Sequence, residues 1–236
     1  MGRSHCTKCE QQIAWYDNVP LLSFAILRGK CRQCGEKISW QYPVVEFATG
    51  IVFALTGWLV FSVADTESFL PTIFYLGLFT MLIVIFVYDL LTMYIPMTVM
   101  WMAIGWSSVY LIVSQWLLIG AYPSLMLSEL LPFVVSGFGA FLFFWLLVWV
   151  SNETWMGMGD AYLALLMGLA VGWPGILWAM TLSFGMGAFA GITLIVLGKK
   201  GMKSQVPFAP FMALGIVLTV MLPLMFPELQ FLMILY

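Results

Sequence analysis

The 236-residue chain is 63% hydrophobic and only 8% charged, with 9 Lys and Arg against 11 Asp and Glu. A soluble domain carries about 25% charge, which excludes an ordinary water-soluble enzyme, a disordered chain and a nucleic-acid binder with a broad basic face. The net charge of −2 says less than the placement, because residues 1–41 hold nine of the charges and residues 42–236 hold eleven. A small polar head over 1–41 and a helical membrane domain over 42–236 are therefore expected.

All four cysteines lie in the head, as Cys6-x2-Cys9 and Cys31-x2-Cys34, with 21 residues between the pairs. Two such knuckles can close a tetrahedral four-sulfur zinc site, structural in kind because it leaves no open position for chemistry. Two disulfides are the alternative, and a reducing cytoplasmic location argues against them. The only histidine, His5, reads as a solvated neighbour of Cys6 and not as a ligand. No short apolar region with a cleavage site precedes the head, so no signal peptide is expected.

Seven apolar segments follow, at about 43–64, 69–88, 95–118, 131–150, 160–173, 175–197 and 207–226. The fifth is short and ends at Gly172-Trp173-Pro174. Unbroken apolar runs without alternation exclude a membrane β-barrel, so the fold class is an all-α polytopic membrane protein. Every Lys and Arg lies either in the head or at Lys199, Lys200 and Lys203. Cytoplasmic segments attract these residues, and an even number of crossings separates the two clusters. Both clusters, Asp89 and the loop leading into Asp160 are then expected at the cytoplasmic face, with Asp65, Glu67, Glu129 and Glu228 outside.

Asp89 ends the run from Thr80 and is followed shortly by Ile95-Pro96. A carboxylate at the edge of the hydrocarbon is costly unless it faces protein or water; a headgroup anchor is its plain structural role. Asp160 closes Gly157-Met158-Gly159-Asp160 just before another apolar run, where the plain role is a helix N-cap. The glycines Gly157 and Gly159 would also admit another backbone. Together the two acids suggest more. Carboxylates at one depth on different helices can share a proton, one activating water while the other protonates a scissile amide. Glu46, just inside the first span, is a further residue that could line such a site or anchor at the interface.

These stretches resemble the type IV prepilin peptidases, bacterial membrane aspartyl proteases of the Gly-x-Gly-Asp type. The likeness runs through Arg3-Ser-His-Cys-x2-Cys9, Trp15 to Ser23, Arg28-Gly-Lys-Cys-Arg-x-Cys34, Tyr42-Pro-x-Val-Glu46, Asp89 with Ile95-Pro96, Gly157 to Asp160, and Val206 to Gly215. The resemblance implies Asp89 and Asp160 as the catalytic pair and Cys6, Cys9, Cys31 and Cys34 as zinc ligands. It implies cleavage of the basic leader of prepilins or pseudopilins at the cytoplasmic face of the inner membrane. N-methylation by S-adenosylmethionine follows in many members. The partners are then those substrates and the lipid bilayer, with no nucleic acid. Three features depart from the family pattern. No apolar helix with a Gly-Ser-Phe-like motif stands ahead of the head, Tyr162 replaces a common Lys, and Met97 a common Asp.

Tyr88-Asp89 with Gly-x-Gly-Asp also resembles presenilin-like and signal-peptide-peptidase-like enzymes, but their Pro-Ala-Leu motif and a head without cysteines are not found here. From other classes, buried acids could serve a proton- or ion-coupled transporter, or the chain could be a non-catalytic scaffold with a zinc head.

Overall fold

A computed structural model describes residues 4–61, 69–119, 123–198 and 206–229. The residues expected in the outer loop, Asp65 and Glu67, lie outside this set, as do Arg3, Lys199, Lys200 and Lys203. Among the described residues the regular structure is helical, apart from two isolated bridges in the head. A 3-10 helix at Trp15–Asn18 precedes α1 (Leu22–Ile26), α2 (Gln41–Phe61), α3 (Phe69–Thr92), α4 (Met97–Ile119), α5 (Pro123–Ser151), α6 (Met158–Val196) and α7 (Ala209–Met225). Two compact units divide between Leu55 and Thr56.

In the first unit the cysteine pairs adopt the same turn twice. The Cys6 N–H donates to the Gln11 carbonyl at 3.0 Å and the Glu10 N–H to the Cys6 carbonyl at 2.9 Å. Cys31, Glu36 and Gly35 repeat this at 2.8 and 2.9 Å. The turn needs a left-handed residue four positions after its first cysteine. Gly35 (φ 70°) supplies it in one case and Glu10 (φ 56°), which carries a Cβ, in the other. Arg32 donates two hydrogen bonds, 2.8 and 2.7 Å long, to Asp17 and so ties the second knuckle to the 3-10 helix.

In the second unit, α6 packs against α4, α5 and α7, and α3 packs against α4 and α7. Membrane helices gain little from apolar burial against each other, so close approach by small residues replaces it. Gly137 of α5 meets Gly168 of α6, where a Cβ on Gly168 would overlap the Gly137 backbone. The Ser136 hydroxyl donates to the Gly168 carbonyl at 3.1 Å across the same contact. A Cβ on Gly215 of α7 would come within 2.6 Å of the Ala179 carbonyl oxygen of α6. Trp106 of α4 covers Gly77 of α3 and donates its indole N–H to the Phe74 carbonyl at 3.0 Å.

Among the described residues, five helices are long and apolar enough to cross a membrane: α2, α3, α4, α5 and α6. The last apolar segment forms α7, which is shorter at 17 residues. The two segments expected at 160–173 and 175–197 are halves of α6, interrupted at Gly172 (φ 64°, ψ −172°) and Trp173 (φ −88°, ψ 139°). Gly172 is obligatory there, because its φ is left-handed and a Cβ would strike the Phe133 ring at 2.8 Å. The segment expected at 131–150 begins earlier, at Pro123. Hydropathy marks where a helix is apolar, whereas this one starts at a proline suited to a first turn and runs through polar Ser128 and Glu129.

The Gly168→Ala substitution should force α5 and α6 apart and cost on the order of 2 kcal/mol. A lowered thermal midpoint in detergent would report it. Gly139→Ala on α5, where nothing lies within 4 Å of the new Cβ, should leave the midpoint unchanged.

Candidate active site and metal centre

The four cysteines of the head are free thiols whose sulfur atoms all lie within 4.8 Å of one another. Cys6 Sγ and Cys34 Sγ are 3.9 Å apart. A tetrahedral zinc site with bonds of about 2.3 Å has sulfur–sulfur edges of about 3.8 Å, so the cluster has room for one such ion and is already near its size. His5 is not part of the cluster. The backbone N–H of Cys9, and next that of Lys8, hold the Cys6 thiol down at about 6. Cys34 is pushed up to about 11: the Glu36 N–H pulls the other way, but desolvation and hydrogen bonds shared with Cys31, Cys9 and Cys6 outweigh it. As thiolates, the four cysteines could supply all four ligands of a metal ion.

In the second unit, Asp89 sits in the last turn of α3 and is only 5% exposed. Its carboxyl lies near the backbone N–H of Ala209, the first residue of α7. The chain then turns sharply. Met93 adopts a left-handed conformation (φ 56°) and its N–H donates to the Asp89 carbonyl at 2.8 Å. Thr92 steadies the turn, its hydroxyl donating to the Tyr88 carbonyl at 2.8 Å and accepting the Tyr94 N–H at 3.3 Å.

Asp160 is the third residue of α6. The N-cap is Gly157 (φ −83°, ψ 156°), not Asp160 as its position suggested, and the Asp160 carboxylate reaches back to accept the Gly157 N–H at 3.3 Å. The two carboxyl groups, from the end of α3 and the start of α6, are close enough to interact electrostatically.

Gly157 and Gly159 have different reasons to be glycine. A Cβ on Gly159 would lie 2.9 Å from Ile95 Cδ1, so the missing side chain lets the α3–α4 turn pack on the start of α6. At Gly157 the nearest atom to a Cβ is Asp160 Oδ2 at 4.0 Å. Tyr162, two residues beyond Asp160, lies against Trp101 of α4 (5.1 Å between ring centroids) and Phe141 of α5 (5.6 Å). Glu46 belongs to the first unit, where its Oε2 accepts the Leu21 N–H at 2.8 Å.

Sequence reasoning did not single out Ala209 or Ile95 as parts of this arrangement. A signal existed in both cases: Pro207 and Pro210 bracket the start of α7 and Pro96 precedes α4, so each marks a chain turn beside a predicted acid.

Residues 1–60 match the model of the bacterial peptidase A24 N-terminal domain, and residues 76–192 match that of the type IV leader peptidase family. A prepilin leader peptidase/N-methyltransferase of Stutzerimonas stutzeri is 30% identical over 91% of this chain and 70% of its own length. The chain belongs to the type IV leader peptidase family. A second member with the same description, from Aeromonas hydrophila, is 31% identical over 90% of this chain and 69% of its own. A type 4 prepilin-like proteins leader peptide-processing enzyme of Escherichia coli is 32% identical over 96% and 78%. No solved structure matches significantly. Family and fold together make the chain a multi-pass membrane peptidase.

Two outcomes test this geometry. Purified protein should hold one zinc ion per chain by elemental analysis, and Cys31→Ser should lower this to well under half. Gly157→Ala should be tolerated within about 0.5 kcal/mol, while Gly159→Val should lower the thermal midpoint by displacing Ile95.

Proposed function

We propose that the chain is an aspartyl endopeptidase that removes the basic leader from prepilins or pseudopilins at the cytoplasmic face of the bacterial inner membrane. The observation that carries this reading is the packing of Ile95, six residues after Asp89, on Gly159, next to Asp160, which puts two acids from the ends of different apolar spans within electrostatic reach of each other. The relatives' names supply the substrate class.

One carboxylate takes a proton from water, and the hydroxide oxygen bonds to the scissile carbonyl carbon. The protonated partner supports the carbonyl oxygen and then delivers its proton to the leaving nitrogen as the C–N bond breaks. The products are the leader's carboxyl group and the mature protein's amine, and the pair has exchanged roles with respect to the proton. With α2, α3, α4 and α5 each crossing once, the head, Asp89 and the start of α6 fall on one side. The excess of Lys and Arg in the head favours the cytoplasm for that side. A prepilin whose apolar helix lies in the bilayer would then present its leader junction at the depth of the acids.

The name of two of these relatives includes an N-methyltransferase, and methylation of the new amine is the second proposed step. S-adenosylmethionine would supply an electrophilic methyl group. A cavity of about 790 Å³ in the head, lined by Tyr16, Phe24, Tyr42 and Glu46, has the size, aromatic faces and carboxylate to hold an adenosyl group. The zinc would be structural, holding the two knuckles together.

In proteoliposomes with a prepilin whose leader ends in Gly, Asp89→Asn and Asp160→Asn should each slow leader loss by about a hundredfold or more. Both variants should keep their zinc and their thermal midpoint, since neither substitution changes side-chain volume. Cleavage at the wild-type rate by either variant would mean that Asp89 and Asp160 are misassigned as the catalytic pair.

A further inference from the structure

The head exposes several large apolar side chains close together in sequence, and clustered exposure of this kind marks an interaction surface. Leu22 and Ile26, one turn apart on α1, are 57% and 63% exposed; Trp15 is 81% and Trp40 72% exposed. The 3-10 helix carrying Trp15 packs against α1. Phe24 points the other way, against Gly29 and the Trp40 ring (5.1 Å between centroids), so Leu22 and Ile26 form an outward face that the described residues leave mostly exposed.

What covers that face follows from where α1 is held. Trp40 immediately precedes α2, a membrane-spanning helix, and the Leu21 N–H at the start of α1 is bonded to Glu46 in the second turn of α2. Glu46 lies about 8 Å along the helix from its start, at 1.5 Å per residue. The start of the short helix is therefore tied to the second turn of a span and cannot be far from the depth at which that span enters the bilayer. Trp and Tyr gather at this depth, and Tyr16, Trp40 and Tyr42 are exposed here. Of the head's described cations, Arg32 is paired with Asp17 and Lys8 with Glu36, whereas Arg28, Lys30 and Lys37 have no ion pair among the described residues.

We propose that the Leu22–Ile26 face of α1, with Trp15 and Trp40, is a membrane-docking surface that lies in the headgroup layer of an anionic bilayer, with Arg28 and Lys30 on lipid phosphates. It is an interfacial anchor of the amphipathic kind, and it fixes the zinc head down on the membrane instead of leaving it to swing from the start of α2. The surface is independent of the peptidase chemistry and of the cysteine cluster.

The test uses the full chain with the photoreactive residue p-benzoylphenylalanine at position 22, 26 or, as the control, the exposed Gln11. The protein is reconstituted in vesicles of three parts phosphatidylcholine to one part phosphatidylglycerol, or of phosphatidylcholine alone, and lipid adducts are counted by mass spectrometry after illumination. Positions 22 and 26 should yield several-fold more lipid adduct than position 11. Reversing Arg28 and Lys30 to Glu should lower the yield in the anionic vesicles by about fivefold per charge, with little change in neutral ones. Zinc content shows that each labelled head is folded, and the exposed Ala25 replaces any position at which the label displaces zinc. Equal yields at all positions would overturn the proposal. So would adducts at 22 and 26 formed only within the chain, to a second copy or to a prepilin.

Discussion

A carboxylate inside the edge of a hydrocarbon layer is a liability that the surrounding protein must answer, and Asp89 is nearly buried in the last turn of an apolar helix. The second unit converges on that residue. The first amide of α7 lies near its carboxyl, the left-handed turn at Met93 folds the chain back beside it, and Asp160 stands within electrostatic reach at the start of α6. Each of these partners depends on a close helix contact elsewhere. Ile95 can settle on α6 only because residue 159 is glycine, and α7 reaches its place through the approach of Gly215 to Ala179.

The head meets a different constraint by a different means. A chain of some forty residues has too little apolar interior to hold a shape, and here much of its apolar surface faces outward. Two copies of one turn, each ending in a left-handed residue, bring four sulfurs to the spacing a tetrahedral ion requires. A metal ion held there would serve as the core that the sequence lacks.

Much of this was legible before the structure. The spaced cysteine pairs announce a four-sulfur cluster because metal geometry leaves little freedom in their spacing, and long apolar runs announce helices because a membrane permits few alternatives. The break at Gly172-Trp173-Pro174 was visible for the same kind of local reason. The start of α5 was not, since hydropathy fades where Ser128 and Glu129 begin although the backbone stays helical. The supports of the acids were also hidden. Gly159 reads as room for a substrate, and only tertiary packing shows Ile95 against it. Pro207 and Pro210 mark the chain turn at the start of α7, but Ala209 offers only a main-chain amide, so no side-chain pattern shows that it meets Asp89.

The most direct measurement of the central claim is the pH dependence of single-turnover leader cleavage by the wild-type protein in proteoliposomes. A pair that works with one carboxyl charged and the other protonated predicts a bell-shaped profile, lost at low pH when both are protonated and at high pH when both are ionised. Asn at either position should abolish cleavage across the whole range instead of shifting one limb. A profile that rises to a plateau without a second limb, or an Asn variant that recovers the wild-type rate at some pH, would contradict the pairing of Asp89 with Asp160 as the catalytic device.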